Sequence, residues 1–131
     1  MNAADEKSRI YAMGIAVSDL NVSAAFYRDV IGMEETLALN LSNMDEIVLD
    51  FPNGGPRLVL MQFKDGKDRN LSRLPVKLVF SFDDPTDAAR RIREAGYPVV
   101  REPGPSEELG GAILGFARDP DGYLLEIVPA H

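Results

Sequence analysis

The 131-residue chain contains no cysteine and no tryptophan. Without cysteine there can be no disulfide framework, thiolate nucleophile, Cys-based zinc site or iron–sulfur cluster. Histidine is almost as scarce: the single one, His131, is the last residue, which leaves no Ser-His-Asp, Cys-His or multi-histidine metal arrangement to build. Any polar chemistry therefore falls to carboxylates, lysine, arginine, tyrosine or the backbone. No apolar run approaches the ~18 residues of a membrane span, and the polar opening MNAADEKS lacks the apolar stretch of a signal peptide. A cytoplasmic protein is expected. Basic residues are outnumbered, 14 Lys and Arg against 21 Asp and Glu, for a net charge of −7. Such a balance repels phosphate backbones and anionic lipid, so neither nucleic acid nor a membrane is an expected partner.

What is present reads as one domain over residues 1–131. Ile10–Val17 is rich in small and β-branched residues and ends at Ser18-Asp19, a helix N-cap signal, so a strand should feed a helix. Val22, Ala25, Phe26, Val30 and Met33 recur at helical spacing, and Gly32 supplies the stop. Two strands, Glu35–Leu41 and Met44–Phe51, follow. Pro52-Asn53-Gly54-Gly55 then turns the chain into the return strand Arg57–Phe63. After a polar connector over residues 64–75 the order begins again: strand Val76–Phe82, N-cap Asp84 with Pro85, a helix ended by Gly96, and strands at Tyr97–Arg101, Ala112–Ala117 and Leu124–Val128, the last turned by Asp119-Pro120-Asp121-Gly122. Residues 9–63 and 76–130 superimpose at an offset of about 65 residues, as an internal duplication does. The expected fold class is α+β, two tandem βαβββ modules whose sheets pair around a concave cleft, since neither half could bury enough surface alone.

The segments VSDLNVSAAFYRDVIGME and FARDPDGYLLEIV, set in this repeat, resemble the vicinal oxygen chelate superfamily, also called the glyoxalase/bleomycin-resistance/dioxygenase family. IREAGYPVVREPGP before the DPDG turn looks most like the glyoxalase I branch. In that branch's metalloenzymes the resemblance implies a divalent ion held by one ligand on the first and one on the last strand of each module. Carried over one by one, those positions fall on Ala12, Leu60, Lys77 and Glu126, of which only Glu126 can ligate. The resemblance thus implies a family member without its metal and without another cofactor.

Strand alternation assigns residues to the cleft. Ala12 and Gly14 on the first strand, Leu58, Leu60 and Gln62 on the fourth, Lys77, Val79 and Ser81 on the fifth, and Leu124 and Glu126 on the last are expected to line a mainly apolar pocket. Its expected occupant is a small organic molecule. Lys77 and Glu126 are the candidate catalytic pair, as base, acid or anion anchor, with a purely structural ion pair as the competing reading. Three function classes follow: a metal-free binding protein; an enzyme, either a lactoylglutathione lyase or dioxygenase with rearranged metal ligands or a metal-free lyase or isomerase using Glu126 and Lys77; or an interaction module whose cleft is filled by side chains. A homodimer is expected, as is common in the family.

Overall fold

The computed structural model describes residues 7–131; the opening residues 1–6, part of the stretch weighed above as a possible leader, lie outside the described residues. Its elements are β1 (Ala12–Ala16), α1 (Leu20–Ala25), β2 (Glu34–Asn40), β3 (Met44–Asp50), β4 (Arg57–Phe63), β5 (Lys77–Phe82), α2 (Pro85–Glu94), β6 (Val99–Ser106), β7 (Ala112–Arg118) and β8 (Leu124–Pro129). They form two four-stranded sheets, ordered β1-β4-β3-β2 and β5-β8-β7-β6. This is the α+β, twice-repeated βαβββ architecture that the sequence leads one to expect. In each sheet the first strand is an edge, parallel to the last strand of its own module.

Local chemistry explains the helices. Asp19 caps α1 by accepting hydrogen bonds from the N–H groups of Asn21 and Val22, and Asp84 caps α2 by accepting from Asp87, with Pro85 in the first turn. Beyond α1 the backbone widens into a π-helical turn, Phe26–Ile31, closed by Gly32 at φ 102°. This turn sends Phe26, Tyr27 and Ile31 inward together, each buried. One face of each sheet packs on the helices. Ile15, Ile47, Leu49, Leu58 and Leu60 from the first sheet join Leu78, Ala117, Leu125 and Ile127 from the second in a single core.

The two modules meet through that core and through side chains at its rim. Phe80 stands 6.1 Å from both Tyr27 and Phe51, ring centre to ring centre, and Arg91 of α2 donates to the Val30 carbonyl at 2.9 Å. The connector over residues 64–75 is less detached than its polarity suggests. Leu71, in a short 3₁₀ turn, is buried and belongs to the core, so the linking segment is pinned midway. The stretch 102–106, which falls between the expected strands Tyr97–Arg101 and Ala112–Ala117, extends β6. Two register shifts and Pro103 and Pro105 mark it as an irregular edge strand.

Candidate functional site

Register settles which residues look away from the helices. Across β1 and β4, Ala12 pairs with Arg57, Gly14 with Val59 and Ala16 with Met61, while Ile15 pairs with Leu60. Paired residues share a face, so the open face of the first sheet carries Ala12, Gly14, Arg57, Val59 and Met61. A Cβ on Gly14 would sit 3.3 Å from the Met61 methyl, confirming that the two lie together.

The expectation that Leu60 and Gln62 face the cleft is therefore corrected, whereas Leu58, on the same strand face, reaches the groove between the modules. Leu60 is fully buried in the core, and Leu58 is buried beside it. The Gln62 amide oxygen accepts the Leu20 N–H at 2.7 Å, on the helix side. In RLVLMQF both alternating sets are mainly apolar, with Arg57 in one and Gln62 in the other, and alternation alone cannot choose between them. One consequence reaches the inferred ligand positions. Gly14 opposite Val59 corresponds to Val79 opposite Glu126 in the second module, so the residue equivalent to Glu126 is Val59 and not Leu60.

In the second sheet the pairs Lys77–Leu124, Val79–Glu126 and Ser81–Val128 lie on the open face, and Leu78–Leu125 and Phe80–Ile127 on the core face. Lys77 Nζ donates to Glu126 Oε1 at 2.9 Å. The two lie side by side on neighbouring strands. The lysine side chain is 50% exposed and the glutamate 15%, so the pair straddles the boundary between sheet and solvent.

Between the modules runs a groove of about 500 Å³. Module 1 contributes Met13, Phe51, the Asn53–Gly55 turn and Arg57, and module 2 contributes the edge of β5 from Lys77 to Ser81. Of the residues singled out in the sequence, Leu58, Lys77, Val79 and Ser81 line this groove. Ala12, Gly14, Leu124 and Glu126 are on the open sheet faces outside its lining, and Leu60 and Gln62 are on the helix side. Arg57 is tightly held: its guanidinium donates to Asp50 from Nε at 2.9 Å and Nη2 at 3.0 Å, to Thr36 Oγ1 at 3.0 Å and to the Tyr11 hydroxyl at 3.2 Å. The Arg57 and Thr36 hydrogen bonds hold the Asp50 carboxyl below the usual carboxylate range.

A second polar cluster has no local signal in the sequence, since a tyrosine on a helix and a DPDG turn each fill an ordinary structural role. The Tyr27 hydroxyl donates to Asp119 Oδ2 at 2.7 Å, with both residues buried. Asp119 Oδ1 accepts the N–H groups of Asp121 and Tyr123, each at 2.9 Å. The Tyr123 hydroxyl donates to the Ala16 carbonyl at 2.7 Å. Asp121 accepts from the Ser18 N–H and hydroxyl. Burial raises the Asp119 carboxyl above its ordinary pKa, against the lowering by its donors, and burial followed by the Asp119 charge raises the Tyr27 phenol well above its own. The cluster therefore ties the β7–β8 turn of one module to β1 and α1 of the other.

Paired βαβββ modules, each with an open sheet face and an edge strand parallel to the last strand of its module, define the class of fold. Residues 9–127 match the model of the Glyoxalase/Bleomycin resistance protein/Dioxygenase superfamily, and the chain belongs to that superfamily. It is 31% identical over 121 residues to the lactoylglutathione lyase of Salmonella typhimurium, spanning 88% of each chain, and 30% identical over 119 residues to that of Escherichia coli O157:H7, spanning 87% of each. Glyoxalase I from Zea mays superimposes with a TM-score of 0.80 at 25% identity, over 93% of this chain and 44% of that one. TnmS3, an antibiotic binding protein from Streptomyces sp. CB03234, superimposes with a TM-score of 0.77 at 17% identity, over 98% and 100% of the two chains. That last likeness is one of fold.

The residues at the four inferred ligand positions, with the register correction, are Ala12, Val59, Lys77 and Glu126. A methyl group, an isopropyl group and an ammonium ion offer no lone pair to a cation at neutral pH, and the ammonium repels one. Among the described residues no group of three or more His, Cys, Asp or Glu comes close enough to share a metal. The donor set does not fit a divalent ion. No helix among the described residues is long and apolar enough to cross a membrane.

Proposed function

We propose that this chain is a metal-free member of the superfamily that binds a small, largely apolar organic molecule between its modules, with residues 9–63 and 76–130 as the modules and 64–75 as their connector. The observation that carries the reading is the Lys77–Glu126 ion pair. The one carboxylate left from the inferred ligand set is already paired, by an ammonium group occupying another ligand position. The surroundings suit an apolar ligand, with Val79 exposed on β5 and Met13, Phe51 and Phe80 along the groove. Lys77, Val79 and Ser81, with Ala12, Gly14, Leu124 and Glu126 on the adjoining open faces, are the proposed binding residues, and Lys77 and Glu126 the polar pair.

The identity to lactoylglutathione lyases favours a second reading, a lyase or isomerase of that type in which Glu126 moves a proton and Lys77 stabilises the developing negative charge. Metal analysis of the purified protein combined with a lyase assay decides between them. The proposal expects no stoichiometric Ni, Zn, Mn or Fe, and no turnover of the methylglyoxal–glutathione hemithioacetal with or without added metal. One tightly held divalent ion per chain, or turnover that appears on adding Ni or Zn, refutes it. Metal-independent turnover abolished by Glu126→Gln establishes the second reading in its metal-free form.

Exposed apolar side chains on the outer strands, Leu37 and Leu39 of β2 and Val100 of β6, support assembly into a homodimer.

A further inference from the structure

The charge of the groove runs against the charge of the chain. The protein carries a net −7, yet the charged residues lining the groove are Arg57 and Lys77, and none of the described lining residues is a carboxylate. Asp50 and Glu126, the acids that pair with these two cations, stand outside the lining. Each cation thus presents to the groove while its counterion sits to one side. The rest of the wall is mainly apolar, chiefly Met13, Met33, Phe51 and Phe80, with Asn53 and Ser81 as its uncharged polar side chains.

Building on the ligand-binding reading above, we infer that the occupant of this groove is an amphipathic organic anion, a flat or branched apolar body bearing one carboxylate or sulfonate. The body lies along the methionine and phenylalanine side chains, whose polarizable sulfur and ring faces accommodate aromatic surface. The anionic group meets Lys77. Of the two cations Arg57 is fixed by three residues, Asp50, Thr36 and Tyr11, and its charge is balanced by Asp50. Lys77 is half exposed and bonded only to Glu126 among the hydrogen bonds and ion pairs of the described residues. A flexible ammonium with three donors can keep Glu126 on one and offer the others to a ligand. A neutral ligand of the same shape would use the wall and leave the cationic lining unanswered.

The test uses two naphthalene probes of matching shape on the full chain: 1-anilinonaphthalene-8-sulfonate, and N-phenyl-1-naphthylamine, which lacks the sulfonate. Fluorescence titration of the folded protein gives both Kd values, and calorimetry gives the stoichiometry. The inference expects one sulfonate probe per chain, bound about tenfold or more tighter than the neutral one, with the margin shrinking as salt is raised. Lys77→Met should erase most of that margin by weakening the sulfonate probe. Val79→Glu, at an exposed position on the same strand, should weaken the sulfonate probe selectively. Equal Kd values for the two probes, unchanged by Lys77→Met, overturn the anionic assignment and leave an apolar pocket standing. Failure of both probes to bind the folded protein overturns the ligand-binding reading as well.

Discussion

Replacing Tyr27 with phenylalanine removes one oxygen from a fully buried ring and leaves the ring's packing on Phe26 and Phe80 in place. That oxygen donates to Asp119, a carboxylate 2% exposed whose other acceptor positions take two backbone N–H groups. Hydrogen bonds to charged groups contribute about 1.5–3 kcal/mol, and water has no ready access to replace this one. We expect Tyr27→Phe to cost about 2 kcal/mol, a fall in Tm of about 7 °C for a domain of this size. The loss should depend on pH in a defined direction. Burial raises the Asp119 pKa in the folded state, and the Tyr27 hydrogen bond partly opposes that rise. A carboxyl with a raised folded pKa contributes stability below its unfolded pKa and loses it as pH climbs through the folded value. Without Tyr27's hydroxyl the folded pKa rises further, so the deficit of the variant is largest when Asp119 is ionised and narrows once it is protonated. Thermal melts of both proteins at about pH 7.5 and about pH 4 read this directly. A Tm within a degree of the parent at the higher pH, or a deficit that grows on acidification, would refute the reasoning.

Four further outcomes are expected. Lys77→Ala should cost only about 1 kcal/mol in denaturant melts, because the lysine is half exposed and loses one ion pair at the sheet boundary; a loss of several kcal/mol would mean that Glu126 is stranded in an environment far drier than its exposure implies. Neither Lys77→Ala nor Lys77→His should produce hemithioacetal turnover with added nickel or zinc, since Ala12 and Val59 still supply no ligand; a single His substitution that yields an active lyase sinks the argument from the donor set. Gly122 combines a φ of 89° with Ser72, whose Cβ would lie 2.8 Å from an added Cβ, so Gly122→Ala should destabilise by about 1–3 kcal/mol in chemical melts, and an unchanged midpoint would show that the connector yields. Light scattering at micromolar concentration should return a homodimer mass, and a monomer rejects that assembly.

The repeat and its elements were legible because their signals are local. Asp19 and Asp84 cap helices, Gly32 and Gly96 end them, and each half alternates apolar and polar residues along its strands. Lys77 and Glu126 could be placed on one face because polar residues interrupt the apolar pattern there. The face of β4 could not, since Leu58 and Leu60 are no more apolar than Val59 and Met61; pairing with β1, where Ile15 meets Leu60, decides it. Least visible was the buried cluster at Tyr27 and Asp119, whose members are 92 residues apart. A tyrosine on a helix and an aspartate in a turn each satisfy a bland local role, and only the packing of the modules brings donor to acceptor.

The two β-turns that close the sheets, built at equivalent places in a duplicated chain, have parted company. The β7–β8 turn, from Asp119 to Tyr123, is a strut: its carboxylates and phenol are committed to Tyr27, Ser18 and Ala16 in the opposite module. Its counterpart, Asn53–Gly55, is exposed and forms part of the rim of the groove. Duplication therefore separates two burdens that a single hairpin would have to share. Sequence change at residues 53–55 can reshape what the groove admits without loosening the bond between modules, whereas change at residues 119–123 strikes the joint itself.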